Sequence, residues 1–186
     1  MNKTLLSAAL IAGFGVAAIA PQAASAAGPV SSGTITITGT VTSSTCTVAV
    51  NGSPAGTIAL NPVVNTVLNT VGSSYGWTPV TLTLTGCAAI TGFTSVYPYF
   101  TGTNIDTTTG YLANTGASNV EIALSNSQGT SGALTLQNGS GAQNQGTQLL
   151  NATAPTFSYY AGYVAKTVPV TVGAVNTSVQ YNLNYQ

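Results

Sequence analysis

The sequence predicts an all-β protein, an antiparallel β-sandwich stapled by one disulfide. Three observations carry that expectation. Apolar and polar residues alternate with period 2 in several runs, and no helix-period stripe of any length is present. Turn signals separate the runs: Asn51-Gly52, Thr85-Gly86, Thr109-Gly110, Asn138-Gly139 and Val172-Gly173. Two cysteines, Cys46 and Cys87, lie behind an export leader, where an even count most simply means one bond.

The leader comes first. Met1-Asn-Lys3 is a short positive start, Leu5 to Ala20 is apolar, and Ala24-Ser25-Ala26 is a small-x-small cleavage site. Residues 1–26 therefore read as a secretory signal peptide. The apolar run is marginal for a bilayer and no stop-transfer charges follow it. Cleavage after Ala26 leaves Ala27–Gln186, a length that suits one domain.

The strands follow in order. Thr34-Ile-Thr-Ile-Thr-Gly-Thr-Val41 alternates without a break, with Ile35, Ile37, Gly39 and Val41 on one face. It lies outside the loop that Cys46 and Cys87 would close. That loop spans about 41 residues, a bond worth roughly 4 kcal/mol if it acts through chain entropy. The alternative is two free thiols. Asn61–Thr70 is irregular and is expected to hold a short helical turn. Val80-Thr-Leu-Thr-Leu84 alternates just before Cys87. Val120, Ile122 and Leu124 share a face, and so do Val168, Val170 and Val172. Ser125 to Thr156, rich in Ser, Gly, Asn and Gln, reads as short edge strands and long surface loops. Val179, Tyr181, Leu183 and Tyr185 alternate with Gln180, Asn182, Asn184 and Gln186. Threonine on the polar faces is β-branched yet compatible with water.

Composition excludes much chemistry. The chain is 44% hydrophobic and 2% charged, against about 25% charged for an ordinary soluble domain. Its charged residues are Lys3, Asp106, Glu121 and Lys166, and it has no histidine. Two cations cannot neutralise the phosphates of a nucleic acid. No cluster of metal ligands is available, and acid–base catalysis has little to use, so neither an enzyme nor a cofactor is expected. Asp106 and Glu121 read as solvated loop and strand charges rather than a catalytic pair. Lys166 has no SxxK motif beside it for a Ser–Lys dyad, and an isopeptide to an asparagine is disfavoured in a chain already locked by a disulfide. Tyr159, Tyr160 and Tyr163 divide between the two faces of one strand rather than forming a glycan-binding patch. The Asn-x-Ser/Thr matches at Asn51, Asn138, Asn151 and Asn176 are expected by chance.

The ends of the chain carry a resemblance. A leader is followed by the Ile35-x-Ile37-x-Gly39-x-Val41 pattern. A cysteine then comes about twenty residues into the mature chain, and a second about forty further on. This order resembles the chaperone–usher pilins. Val172-Gly173 followed by Tyr181-x-Leu183-x-Tyr185-Gln186 is similar to their C-terminal strand with its penultimate tyrosine. Four further stretches resemble the major subunit of type 3 fimbriae: Cys46 to Gly52, Gly110 to Thr115, Asn119 to Leu124 and Phe157 to Tyr163. The near absence of charge departs from that pattern.

The resemblance implies an incomplete immunoglobulin-like sandwich, a pilin fold completed by donor-strand exchange. Residues 27–44 would be the donor-strand extension and residues 45–186 the pilin domain. Ile35, Ile37 and Val41 would fill a neighbouring subunit's groove at roughly 2–3 kcal/mol each. Gly39 would sit where that groove leaves no room for a side chain. Val179, Tyr181, Leu183, Tyr185 and Gln186 would border the subunit's own groove and meet the chaperone. The implied partners are neighbouring fimbrial subunits, a periplasmic chaperone and an outer-membrane usher. The implied location is a fimbrium on the bacterial cell surface, reached through the periplasm. The implied role is a shaft subunit supporting adhesion and biofilm formation. The alternatives are a secreted monomeric carbohydrate-binding sandwich and a minor adaptor or anchor pilin.

Overall fold

The computed structural model describes Thr36, Thr38 and residues 46–186 apart from Ala55, residues 88–91 and residues 152–153. Ile35, Ile37, Gly39 and Val41 lie outside the described residues. The described residues form eight strands: β1 (Thr47–Val50), β2 (Ser74–Thr85), β3 (Ser95–Thr101), β4 (Leu112–Ala113), β5 (Val120–Ser125), β6 (Gln148–Leu149), β7 (Thr156–Ala165) and β8 (Gln180–Tyr185). The five-stranded sheet has the order β1-β2-β7-β5-β4, the three-stranded sheet the order β6-β3-β8, and every pairing is antiparallel. No α-helix occurs among the described residues. The expected helical turn is a 3-10 turn at Asn65–Val67.

Alternation buries one face of each sheet against the other. Val80, Leu82 and Leu84 of β2 face Val96 and Phe100 of β3 across a core shared with Phe157 and Tyr159 of β7. Cys46 and Cys87 are bonded, with Cα atoms 4.3 Å apart. The bond ties the residue before β1 to the end of β2, whose Thr85 pairs with Thr47.

β2 begins six residues before the alternating run at Val80–Leu84. Gly76 and Pro79 hide its first half, because both normally interrupt strands. A bulge between Tyr75 and Thr78 accommodates Gly76, whose φ is +69°. A side chain there would also strike Val63 and Tyr163, at 2.7 and 2.9 Å from its Cβ. Past the end of β1, the Asn51 side chain takes over the pairing. It accepts from Thr81 N–H at 2.7 Å and donates to the Pro79 carbonyl at 3.1 Å.

Two sequence expectations are corrected. Val168, Val170 and Val172 do not form a strand. Val170 is buried, while Val172 is 85% exposed. Pro169 supplies no N–H, and side chains replace the ladder. Asn119 Nδ2 donates to the Pro169 carbonyl and Thr171 N–H to Asn119 Oδ1, at 3.0 and 2.7 Å. The Ser125–Thr156 stretch is not merely surface loop. Leu134, Leu136, Gln143, Gln145 and Leu150 within it are buried. Gln143 acts as a surrogate strand beyond β6: it accepts from Phe100 N–H at 2.8 Å and donates to the Phe100 carbonyl at 2.7 Å.

Candidate functional site: the β8 edge

β8 lies at the end of the three-stranded sheet, with β3 on one side and no strand on the other among the described residues. Its register with β3 runs from Val96↔Tyr185 to Thr101↔Gln180. Ser95 and Gln186 exchange both backbone hydrogen bonds, at 3.0 and 2.9 Å. Antiparallel ladders alternate between exchanging and non-exchanging pairs, so that one pair fixes the rest. Gln180, Asn182 and Asn184 bond to β3. Tyr181 and Leu183 aim their N–H and C=O groups away from it, toward the edge. Pro98, opposite Leu183, falls in a non-exchanging pair, where its missing N–H costs the β3–β8 ladder nothing.

The same residues turn their side chains to the core. Val179, Tyr181, Leu183 and Tyr185 are half-buried and pack against it, as alternation predicted. So do Val175, Cys46, Val48, Ile58, Leu60, Val63 and Val67. The core is thus incompletely covered along β8 and along the extended segment after β1. A recess of about 280 Å³ is lined by Val63 and Leu68 of that segment together with Val120, Val170 and Val175. Apolar side chains and outward-facing backbone groups therefore share one edge. Such an edge is a template for another strand. Gln186 extends it: its carbonyl oxygen accepts from Thr94 N–H at 2.6 Å and Ser95 N–H at 3.0 Å. Phe93 packs edge-on against Tyr185, ring centres 6.3 Å apart.

The other residues weighed for chemistry have structural places. Tyr159 and Tyr163 are core residues and Tyr160 faces the opposite side of β7, so the three tyrosines form no patch. Tyr159 donates to the Gln145 carbonyl, and burial pushes its hydroxyl pKa above the ordinary 10.0. Asp106 and Glu121 are not separate solvated charges. Lys166 Nζ stands 2.6 Å from Asp106 Oδ2 and 2.8 Å from Glu121 Oε1, and Glu121 is 1% exposed. All the charged side chains among the described residues thus form one cluster, which joins the loop after β3 to β5 and the end of β7. Sequence reasoning missed it because nothing local links positions 106, 121 and 166.

The cluster gives a pH signature. The Lys166 ammonium and the Thr108 N–H hold the Asp106 carboxyl well below its ordinary 3.8. A depressed carboxyl contributes its stability fully above the unfolded value and loses it as pH falls from about 4 downward. Lys166 is raised above its ordinary 10.5 by Asp106 and then Glu121. Its contribution is complete below that value and is lost as pH rises through the higher folded one. Lys166→Met should lower the urea midpoint at neutral pH, because it strands the buried Glu121 carboxylate. The gap from wild type should narrow below about pH 4 and above about pH 10.5. A gap of constant size across that range would contradict the assignment.

The fold is an antiparallel β-sandwich with one disulfide and a core that is under-covered beside an edge strand. The chain belongs to the fimbrial protein family, whose description, "Fimbrial protein", matches residues 35–186. It is 39% identical over 160 residues to the F17 fimbrial protein of Escherichia coli, spanning 83% of this chain and 87% of that one. It is 36% identical over 179 residues to the major fimbrial subunit SMF-1 of Stenotrophomonas maltophilia (strain K279a), spanning 90% of this chain and 98% of that one. Among solved structures it is similar to one titled "Structural determinants of polymerization reactivity of the P pilus adaptor subunit PapF". That match covers 76% of this chain and 95% of the other, at 21% identity and a TM-score of 0.42. The chain is a structural subunit of a fimbria. Members of this family are exported and assembled into fimbriae at the cell surface.

Proposed function

We propose that this chain is the repeating shaft subunit of its fimbria, and that it polymerises by donor-strand exchange through the β8 edge. Residues 1–26 direct export, residues 27–44 form the donor strand, and residues 45–186 form the domain that receives one. The reading rests on one observation above the others. In Tyr181 and Leu183, core-facing side chains and outward-facing backbone groups coincide on a strand that has one partner strand among the described residues. Ile35, Ile37 and Val41 of a neighbour would cover those side chains, and their backbone would pair with the edge. Head-to-tail repetition of this contact does not close, so it builds a fibre.

Export through the periplasm requires the exposed edge to be guarded until assembly. A periplasmic chaperone that lends a strand along Val179–Gln186 would do so, and an outer-membrane usher would exchange it for the next subunit. Adhesion and biofilm formation follow as roles of the finished fimbria, and no catalytic role is assigned. The test is electrophoretic. Surface extracts heated gently in SDS should show a ladder of this subunit that collapses to monomer on boiling. Recovery solely as a soluble monomer would refute the polymer reading and favour a secreted sugar-binding sandwich. High abundance in sheared fimbriae separates a shaft subunit from an adaptor or anchor.

A further inference from the structure

The outer face of the five-stranded sheet carries an aromatic platform with no part in strand exchange. Trp77 is the chain's one tryptophan. The bulge in β2 turns it outward over Gly162 of β7. A Cβ at Gly162 would stand 2.5, 2.6 and 2.8 Å from the indole Cδ2, Cε3 and Cε2. Near-equal distances to three ring atoms mean that the face of the indole, not its edge, covers the glycine. Only a residue without a side chain lets the ring lie flat there. The indole is half-buried, so part of it still meets solvent.

Its surroundings extend the platform. Pro79, two residues along β2, is exposed and pairs with the half-buried Tyr160 of β7. The next rows are Thr81↔Ser158 and Thr83↔Thr156, with Ala49 of β1 opposite Thr83. All of these point outward, because Val80, Leu82, Phe157 and Tyr159 between them point into the core. Two rings and a proline thus grade into a ladder of hydroxyls. A pyranose matches that gradient: its C–H face stacks on a flat ring and its hydroxyls find neutral hydrogen-bonding partners.

Charge narrows the ligand. On the Glu121 side of this face lies the Asp106–Lys166–Glu121 cluster, where one ammonium balances two carboxylates to −1. No other cation occurs among the described residues to hold a sulfate, a phosphate or a sugar acid. We propose that the outer face of the five-stranded sheet binds a neutral polysaccharide, with Trp77 stacking on a sugar ring and Tyr160 extending the platform. The face belongs to a different sheet from β8, so sugar binding and polymerisation use separate surfaces. A fimbria would repeat the site in every subunit, and weak single contacts would then sum along the fibre.

The single tryptophan makes the test direct. Intact fimbriae are titrated with cellohexaose and with chitohexaose while tryptophan emission is followed, and heparin serves as the anionic comparison. Fimbriae are then sedimented with cellulose or chitin particles. A saturable emission change with at least one neutral sugar is expected, with none from heparin. Trp77→Ala should reduce sedimentation by about tenfold or more. Tyr160→Ser leaves the indole in place and should reduce it severalfold. If Trp77→Ala fails to assemble, Tyr160→Ser decides. The proposal is overturned if neither sugar changes the emission and all variants sediment like wild type. It is also overturned if heparin binds equally well. An emission change that follows fimbria concentration without sugar overturns it too, and assigns the face to contact between copies of this chain.

Discussion

Deleting residues 27–44 should leave a folded, disulfide-bonded subunit that no longer enters a fibre. The segment lies outside the loop closed by Cys46 and Cys87. Its apolar face, Ile35, Ile37 and Val41, is assigned to a neighbour. A lone strand without a partner has no independent stability, so its loss costs the subunit little. Gly39→Ile is the sharper variant. It raises β-propensity and hydrophobicity, so a strand in an ordinary sheet would accept it. A donor strand laid in a narrow groove would not, because overpacking costs roughly 1–3 kcal/mol and displaces the register of its neighbours. The variant subunit should fold, accept a strand at β8 and fail as a donor. SDS-resistant ladders should vanish while the monomer persists. A deletion that unfolds the monomer, or normal ladders from Gly39→Ile, would place the strand in the subunit's own core.

Cys46→Ser should have the next largest effect, and on stability rather than assembly. The bond closes a separation of 41 residues, which corresponds to roughly 4 kcal/mol in the unfolded chain. Small domains have only about 5–15 kcal/mol in total. A sandwich whose core is half-covered along β8 lies toward the low end, so little folded subunit should survive in the periplasm. Immunoblots of periplasmic fractions measure this. Labelling of two thiols in native, unreduced fimbriae would contradict the bond itself.

Strict alternation makes parts of the fold legible from the amino acids. Val80–Leu84 and Val179–Tyr185 show it because each strand has one face on the core and one on water or loop. β5 reads only by half. Val120, Ile122 and Leu124 face the core as expected, but Glu121, Ala123 and Ser125 are buried as well. Lys166 engages Glu121 and the loop at Gly129 engages Ser125, contacts that depend on distant chain segments. Val168–Val172 misleads for the opposite reason. Its period is right, but Pro169 and the Asn119 side chain divert the backbone from any ladder. Gln143 was illegible because its burial follows from a gap in the pairing of β3, not from its neighbours in sequence. The site divides the same way. The inward face of β8 is written in its alternation. Which backbone groups look outward depends on the register with β3, which only the pairing of Ser95 with Gln186 reveals.

That register supplies the most direct measurement of the central claim. Amide hydrogen exchange can be followed in the subunit lacking residues 27–44, with and without a synthetic peptide spanning residues 30–44. The N–H groups of Asn182 and Asn184 point to β3 and should be protected in both states. The N–H groups of Tyr181 and Leu183 point to the open edge. They should exchange freely without peptide and gain protection of about 100-fold or more with it. Protection of Leu183 that is unchanged by the peptide, or a gain confined to another strand, would show that β8 is not the edge the neighbour completes.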